Sequence, residues 1–175
     1  MQQTLAVLSR ALDDLGLTYE TERKPSGTTT VVVELPGEHK LRTTCAFVLG
    51  QHSLAANAFV MRAPQEREAE VHRWLLRRNQ RLFGIAYAID RFGDLYLVGR
   101  GPHGAVTPEV VDQILGAVAS TADGYFDVLL EMGFESAIRA EWRWRLERGE
   151  PTRNLDAFRH LAPEGPDAAG FGLDR

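Results

Sequence analysis

The sequence predicts an α+β domain with a mostly antiparallel sheet and its helices on one face, in the order α-β-β-β-α-β-β-α plus a C-terminal helix. Three observations carry this. From Val71 to Arg100 the chain reads VHRWLLRRNQRLFGIAYAIDRFGDLYLVGR, and its hydrophobic period changes from about 3.6 to 2, so a helix runs directly into a β-hairpin. Upstream, the β-branched run TTTVVVEL (residues 28–35) and its alternating neighbours read as three or four strands separated by turn residues. No run of βαβ units appears, so nothing requires a parallel sheet.

In chain order, Leu5, Leu8, Leu12 and Leu15 form one stripe of a first helix that Gly16 ends. Leu17, Tyr19 and Thr21 alternate up to the turn Lys24-Pro25-Ser26-Gly27, and the Thr28–Leu35 strand closes at Pro36-Gly37. In the next strand Leu41, Cys45, Phe47 and Leu49 share one side; alternation weakens at Ala46 and Val48, as expected where both faces are covered. Leu54–Met61 continues as a further strand. Pro64 suits the first turn of the central helix, where its missing N–H would be unpaired anyway. That helix places Val71, Trp74, Leu75 and Leu82 on one face, broken by Arg78. Phe83, Ile85, Tyr87 and Ile89 then alternate into a hairpin that turns at residues 90–94. Thr107-Pro108 is an N-cap with proline at the first helical position, and Val110, Val111, Ile114, Leu115, Val118 and Ala119 form the next apolar stripe. Tyr125, Phe126, Leu129, Leu130 and Met132 prolong it to a break at Gly133, and Ser136–Arg148 makes the last helix. One domain spans residues 1–161, with 134–161 as a helical extension on which Leu155, Phe158 and Leu161 dock, and 162–175 reads as a flexible tail.

At 175 residues, with 44% apolar and 25% charged, the chain builds a core without disulfides or metals. A net charge of −4 argues against nucleic acid as partner, since phosphate neutralisation needs a basic footprint. Neither a basic-plus-apolar leader nor an apolar run of about 20 residues appears, so a cytoplasmic protein without membrane contact is expected.

The words LRTTCAFVLG, WLLRRNQRLFGIAYAIDRFGDLYLVGR, TPEVVDQILGAVASTADGYFDVLLEMGF and RNLDAFRHL resemble the YbjN family, in particular its actinobacterial members, over about Thr4 to Leu161. The resemblance implies a fold like that of type III secretion chaperones, pairing into homodimers, and an interaction or regulatory role. It brings no catalytic residues.

Residue patterns supply none either. Gly99-Arg100-Gly101-Pro102-His103-Gly104 satisfies GxGxxG, but it follows a hairpin strand and Pro102 removes a donor, so it reads as a flexible connection rather than a nucleotide loop. Cys45 sits on the apolar side of its strand and reads as structural. The five histidines are scattered, no serine stands in a GxSxG elbow, and no cofactor or metal is expected. An enzyme is therefore not expected. The candidates that remain are for binding a protein or peptide partner. Arg73, Arg77 and Arg81 stack four apart on one helix face, where their mutual repulsion would be relieved by an acidic peptide or phosphate, or answered by Glu66, Glu68 and Glu70. Trp144 lies about 200° from the Ile138, Trp142 and Leu146 stripe, so it stands outside, under the Leu155/Phe158/Leu161 stretch, or against a second subunit or a partner. The competing class is a small-ligand sensor or enzyme whose pocket forms only in three dimensions.

Overall fold

The computed structural model describes residues 1–163. Its elements are α1 (Gln2–Asp14), β1 (Tyr19–Arg23), β2 (Thr29–Pro36), β3 (Arg42–Leu49), β4 (Ser53–Met61), α2 (Glu68–Asn79), β5 (Ala86–Ile89), β6 (Leu95–Pro102), α3 (Pro108–Gly124) and α4 (Phe126–Arg148), closed by a 3-10 segment over Arg153–Leu161. One antiparallel sheet runs in the order β1-β2-β3-β4-β6-β5. The fold is α+β with its helices on one face of that sheet, and four strands stand between α1 and α2.

The period-2 pattern becomes the core. Val31, Val33 and Leu35 of β2, Cys45, Phe47 and Leu49 of β3, Leu54, Ala56, Ala58 and Val60 of β4, and Leu95 and Leu97 of β6 bury their side chains under Leu8, Leu12, Val71, Leu75, Val111, Leu115 and Val118. Each large aliphatic so buried contributes about 1.5–3 kcal/mol of transfer free energy. Thr107 caps α3 by accepting from the Val110 N–H, and Pro108 opens the helix, as the sequence predicts.

Several expectations need correction. Pro64 precedes the helix as expected, but not in its first turn: α2 starts only at Glu68, after Arg67 takes a left-handed conformation with φ 50°. The same helix ends at Asn79, so Leu82 and Phe83 lie in a turn and Phe83 is 86% exposed. Leu41 falls before β3 and is 83% exposed; Thr43 takes the inward position instead. Ala46 and Val48 remain partly exposed, because they face away from the helices. The break expected at Gly133 is present one residue on, at Phe134 (φ −145°), which divides α4 into two helical stretches, and a further break that the sequence did not suggest falls at Tyr125. Gly133 has another role: a Cβ there would sit 3.0 Å from Pro64 Cβ, and its carbonyl accepts from the N–H groups of Gln65 and Glu66. The GxGxxG stretch is no flexible connection either, since β6 runs through Pro102 and a single 3-10 turn comes next.

Leu155, Phe158 and Leu161 do dock, forming a second small core with Ile138 and Trp142. Most of the expected tail, 164–175, lies outside the described residues.

Candidate functional site

Arginines of α2 and of the turn after it form the first surface: α2 ends at Asn79, so Arg81 does not share the helix face expected for it with Arg73 and Arg77. Arg73, Arg77 and Arg81 are exposed, and among the described residues none is in an ion pair. Glu66 does not answer them: its carboxylate accepts from the Ser136 N–H at 2.7 Å and the Ser136 hydroxyl at 2.9 Å, which hold its pKa below the ordinary value. The structure brings Arg77 and Arg81 together with Arg78, Trp74 and Gln80 around one open depression, and leaves Arg73 outside it. Arg78, the odd residue of the apolar stripe, lays its guanidinium 3.8 Å from the Tyr125 ring centroid and 5.4 Å from that of Trp74. A cation over an aromatic face is stabilised by the ring quadrupole, by about 0.5–2 kcal/mol. This explains how a charge sits on the packed side of α2.

The C-terminal end of the same helix guards a sheet edge. In the β5–β6 ladder, Asp90 N–H donates to the Asp94 carbonyl, and the register pairs Ala88 with Tyr96 and Ala86 with Val98. Alternation therefore points the main-chain groups of Tyr87 outward, away from β6. There the Asn79 amide meets both: Tyr87 N–H donates to Oδ1 at 2.7 Å and Nδ2 donates to the Tyr87 carbonyl at 3.2 Å. An unpaired strand edge templates pairing with another chain, and here the side chain occupies its centre.

The third surface is the sheet face opposite the helices. Register places Val32, Ala46, Asn57, Val98 and Ala86 in one row, Val48 and Ala55 in the row on one side, and Phe59, Tyr96 and Ala88 on the other. All are partly exposed and none is buried; exposed Arg100 shares the row of Val48 and Ala55, and the Lys40 ammonium lies 5.2 Å from the Phe59 ring centroid. Phe59 and Tyr96 meet edge to face, with centroids 5.5 Å apart. Glu20 (opposite Val32) and Glu22 (opposite Thr30) give this face an acidic margin along β1.

A group of ionisable residues at the β2–β3 loop resembles acid–base machinery but is committed to structure. The Asp123 carboxylate accepts from the N–H groups of His39 at 2.9 Å and Lys40 at 2.8 Å. Burial pushes its pKa up, but these main-chain donors and that of Glu38 outweigh it and hold the group below its ordinary value. His39 Nδ1 lies 2.6 Å from Asp127 Oδ2, and the hydrogen bond and charge of Asp127 raise its pKa. Burial lowers Lys40 to about 8, and its Nζ donates to the Phe59 carbonyl. Asp123 thus binds the main chain of the loop, His39 pairs with Asp127, and Lys40 binds the main chain of β4. Cys45 is fully buried, and desolvation pushes its thiol up to about 12. Among the described residues no group of three His, Cys, Asp or Glu is placed to hold a metal ion.

The two tryptophans of α4 separate as the 200° offset requires. Trp142 is 5% exposed and donates its indole N–H to the Phe158 carbonyl at 3.0 Å. Trp144 is 43% exposed, with the Arg148 guanidinium 4.9 Å from its ring. The docked Leu155/Phe158/Leu161 segment therefore covers Trp142, and Trp144 stays outside.

Comparison with known proteins fits this architecture. The YbjN family, described as "Putative bacterial sensory transduction regulator", matches residues 4–131. The uncharacterized protein Rv0487 of Mycobacterium tuberculosis is 47% identical over 158 residues, spanning 90% of this chain and 86% of that protein. The uncharacterized protein ML2442 of Mycobacterium leprae is 44% identical over 163 residues, spanning 93% and 89%. Among solved structures, a chain of the ExsC-ExsE complex superposes with a TM-score of 0.53 at 15% identity, over 73% of this chain and 94% of that one. For the Yersinia pestis type III secretion chaperone SycH, in complex with a stable fragment of YscM2, the TM-score is 0.47 at 16% identity, over 68% and 96%. No helix of the described residues is long and apolar enough to cross a membrane. With the family pattern running from Thr4 through Glu131, and two mycobacterial proteins matching nine-tenths of the sequence, the chain belongs to the YbjN family.

Proposed function

We propose that the protein is a non-enzymatic, cytoplasmic binding module of the chaperone or regulator kind, paired as a homodimer, that holds a partner polypeptide on the uncovered face of its sheet. The observation that carries this reading is that face itself: Val32, Ala46, Val48, Val98 and the Phe59–Tyr96 pair form an apolar field that none of the four helices covers. Its ten positions, each about 4.8 Å by 7 Å, give it on the order of 300 Å² in projection. That matches the size of the largest patch on a typical monomer, roughly 300–600 Å², which is often functional. The acidic margin at Glu20 and Glu22 suits an amphipathic segment with basic residues along one flank. Addition of a strand at the β5 edge is disfavoured by the Asn79 clamp. Likeness of fold to a chain of the ExsC-ExsE complex and the family's description as a regulator both support a protein partner. Arg77, Arg78 and Arg81 offer a second contact for acidic groups. For the homodimer, exposed Leu76 on α2 with Ile89 and Phe92 of the β5–β6 hairpin supply an apolar surface beside that edge.

Site-specific photocrosslinking tests the reading. A photoreactive residue at Val48 or Val98 is expected to trap a partner in cell lysate, whereas one at exposed Arg10 of α1 is not. Adducts of equal yield at all three positions, or none at the sheet positions, would refute it. Light scattering should give twice the 19.5 kDa chain mass, falling to one with Leu76→Glu and Ile89→Glu together. A wild-type mass of one chain would remove the homodimer.

A further inference from the structure

The two glycines of the discarded fingerprint have a different use. Along β6 the inward positions read Leu95, Leu97, Gly99 and Gly101, so the core-facing pattern continues but its last two members have no side chain. Opposite them on β4 stand Leu54 and Ala56, and above lie Val110 and Ile114 of α3. Between these layers is a cleft of about 250 Å³. The glycines are not equivalent. A Cβ at Gly99 would come within 2.7 Å of the Gly84 carbonyl oxygen, so that residue is fixed by close backbone approach. A Cβ at Gly101 would meet nothing within 4 Å: it points into the open space. Phe83, left exposed by the early end of α2, stands at the mouth.

We propose that this cleft is a binding site for a flat, uncharged, ring-based molecule of about ten heavy atoms with one hydrogen-bonding group. The size follows from its volume, since a dry apolar cavity of about 150 Å³ takes benzene. Flatness follows from the wall: at Gly101 no side chain stands between the main chain and the cleft, and at Gly99 the wall is closed by the Gly84 main chain. No Asp, Glu, Lys or His lines the cleft, and Arg100, between the two inward glycines, sends its side chain to the opposite face of the strand, so a charged ligand would be desolvated without compensation. Two polar features serve a single head group. Gln113 of α3 lies at the rim, and the Arg100 main chain, on the β5 side of the ladder, has no strand residue opposite because β5 begins only at Ala86.

The probe is 1-naphthol, with eleven heavy atoms and one hydroxyl, read by thermal unfolding of wild type and Gly101→Val. At about ten times its Kd the wild-type midpoint should rise by about 4 °C, and the valine variant, whose side chain fills the cleft, should show no rise while melting at or above the wild-type temperature. No rise in wild type, or an equal rise in both proteins, would overturn the proposal. Should the variant fold poorly, amide shifts of the wild type decide: the largest changes on titration are expected at Gly99, Gly101 and Gln113, and largest changes on α2 or the uncovered sheet face would overturn it.

Discussion

The Asn79 clamp makes a quantitative prediction. Replacing Asn79 with Ala deletes two hydrogen bonds to the Tyr87 main chain and leaves both groups on an edge that water can reach. Water then recovers part of the loss, so the cost is about 1–2 kcal/mol rather than the full penalty of two buried unpaired groups. Asn79→Asp separates the two bonds. It keeps an acceptor for the Tyr87 N–H but sets a carboxylate oxygen against the Tyr87 carbonyl where the amide donated, so repulsion replaces the longer bond. Native-state hydrogen exchange at the Tyr87 amide is the direct assay. In wild type this outward-facing N–H should be protected although no strand lies beyond it; Asn79→Ala should speed its exchange about tenfold, as 1.4 kcal/mol requires, while Asn79→Asp retains protection at that one amide. Unfolding in urea should show both variants less stable than wild type. The alanine variant, with the edge opened, should also self-associate at concentrations where wild type does not. If Tyr87 exchanges at the wild-type rate in Asn79→Ala, the side chain does not guard this edge and the reasoning fails.

The β2–β3 loop and the core can be tested in the same way. Asp123→Asn removes the charge from an acceptor of main-chain bonds and should cost about 1–2 kcal/mol in denaturant. Because the folded pKa of Asp123 is depressed, its contribution is present above the ordinary carboxylate range and lost as pH falls through the folded value, so the gap between Asp123→Asn and wild type should close on acidification. Gly37→Ala should be at least as damaging, since its Cβ would collide with both Asp123 Oδ1 and the Lys40 carbonyl oxygen; unchanged stability would mean the loop does not wrap the carboxylate. Cys45, buried and with its thiol at about 12, should resist alkylation at pH 8 in the native protein and react fully in denaturant, and rapid native labelling would contradict its place in the core.

The layers are legible in the sequence because periodicity arises directly from side-chain burial. β2 announces itself through its β-branched run, β4 through its alternation, α3 through the Thr107-Pro108 start, and Cys45 through its apolar neighbours. The features that cannot be read depend on contacts distant in sequence. Asn79 at the end of a polar helix resembles any solvated residue until Tyr87 comes beside it. Arg78 looks like a defect in the stripe until Tyr125, 47 positions later, supplies the aromatic face. Ala46 and Val48 suggest coverage on both sides, whereas only topology reveals that all the helices lie on the other face. Gly99 and Gly101 do carry a signal, the continuation of Leu95 and Leu97 at period 2, but the GxGxxG pattern overlies and masks it. Of the ridge that the spacing suggests, one depression takes in Arg77 and Arg81 together with Arg78, and leaves Arg73 outside.

The C-terminal extension ties two regions together, and truncation separates them. The family pattern ends at residue 131, yet the chain entering α2 is anchored on residues 131–136. Gln65 and Glu66 donate their N–H groups to the Gly133 carbonyl, Glu66 accepts from Ser136, and Arg67 reaches the carbonyls of Glu131 and Met132 and the carboxylate of Glu135. These bonds hold Arg67 in its left-handed conformation, which costs on the order of 1–3 kcal/mol unless its surroundings impose it. The 3-10 segment, in contrast, buries its apolar side chains in the small core of Ile138 and Trp142, with Leu130 packed against it. Ending the chain at Gly149 should therefore expose Trp142, shift its emission to the red and leave the main unfolding transition near its wild-type midpoint. Ending it at Met132 should loosen the α2 entry and lower that midpoint, with amide protection lost first at Val71 and its neighbours. If both truncations melt alike, the kink at Phe134 does not fix α2, and the extension is an appendage to the fold.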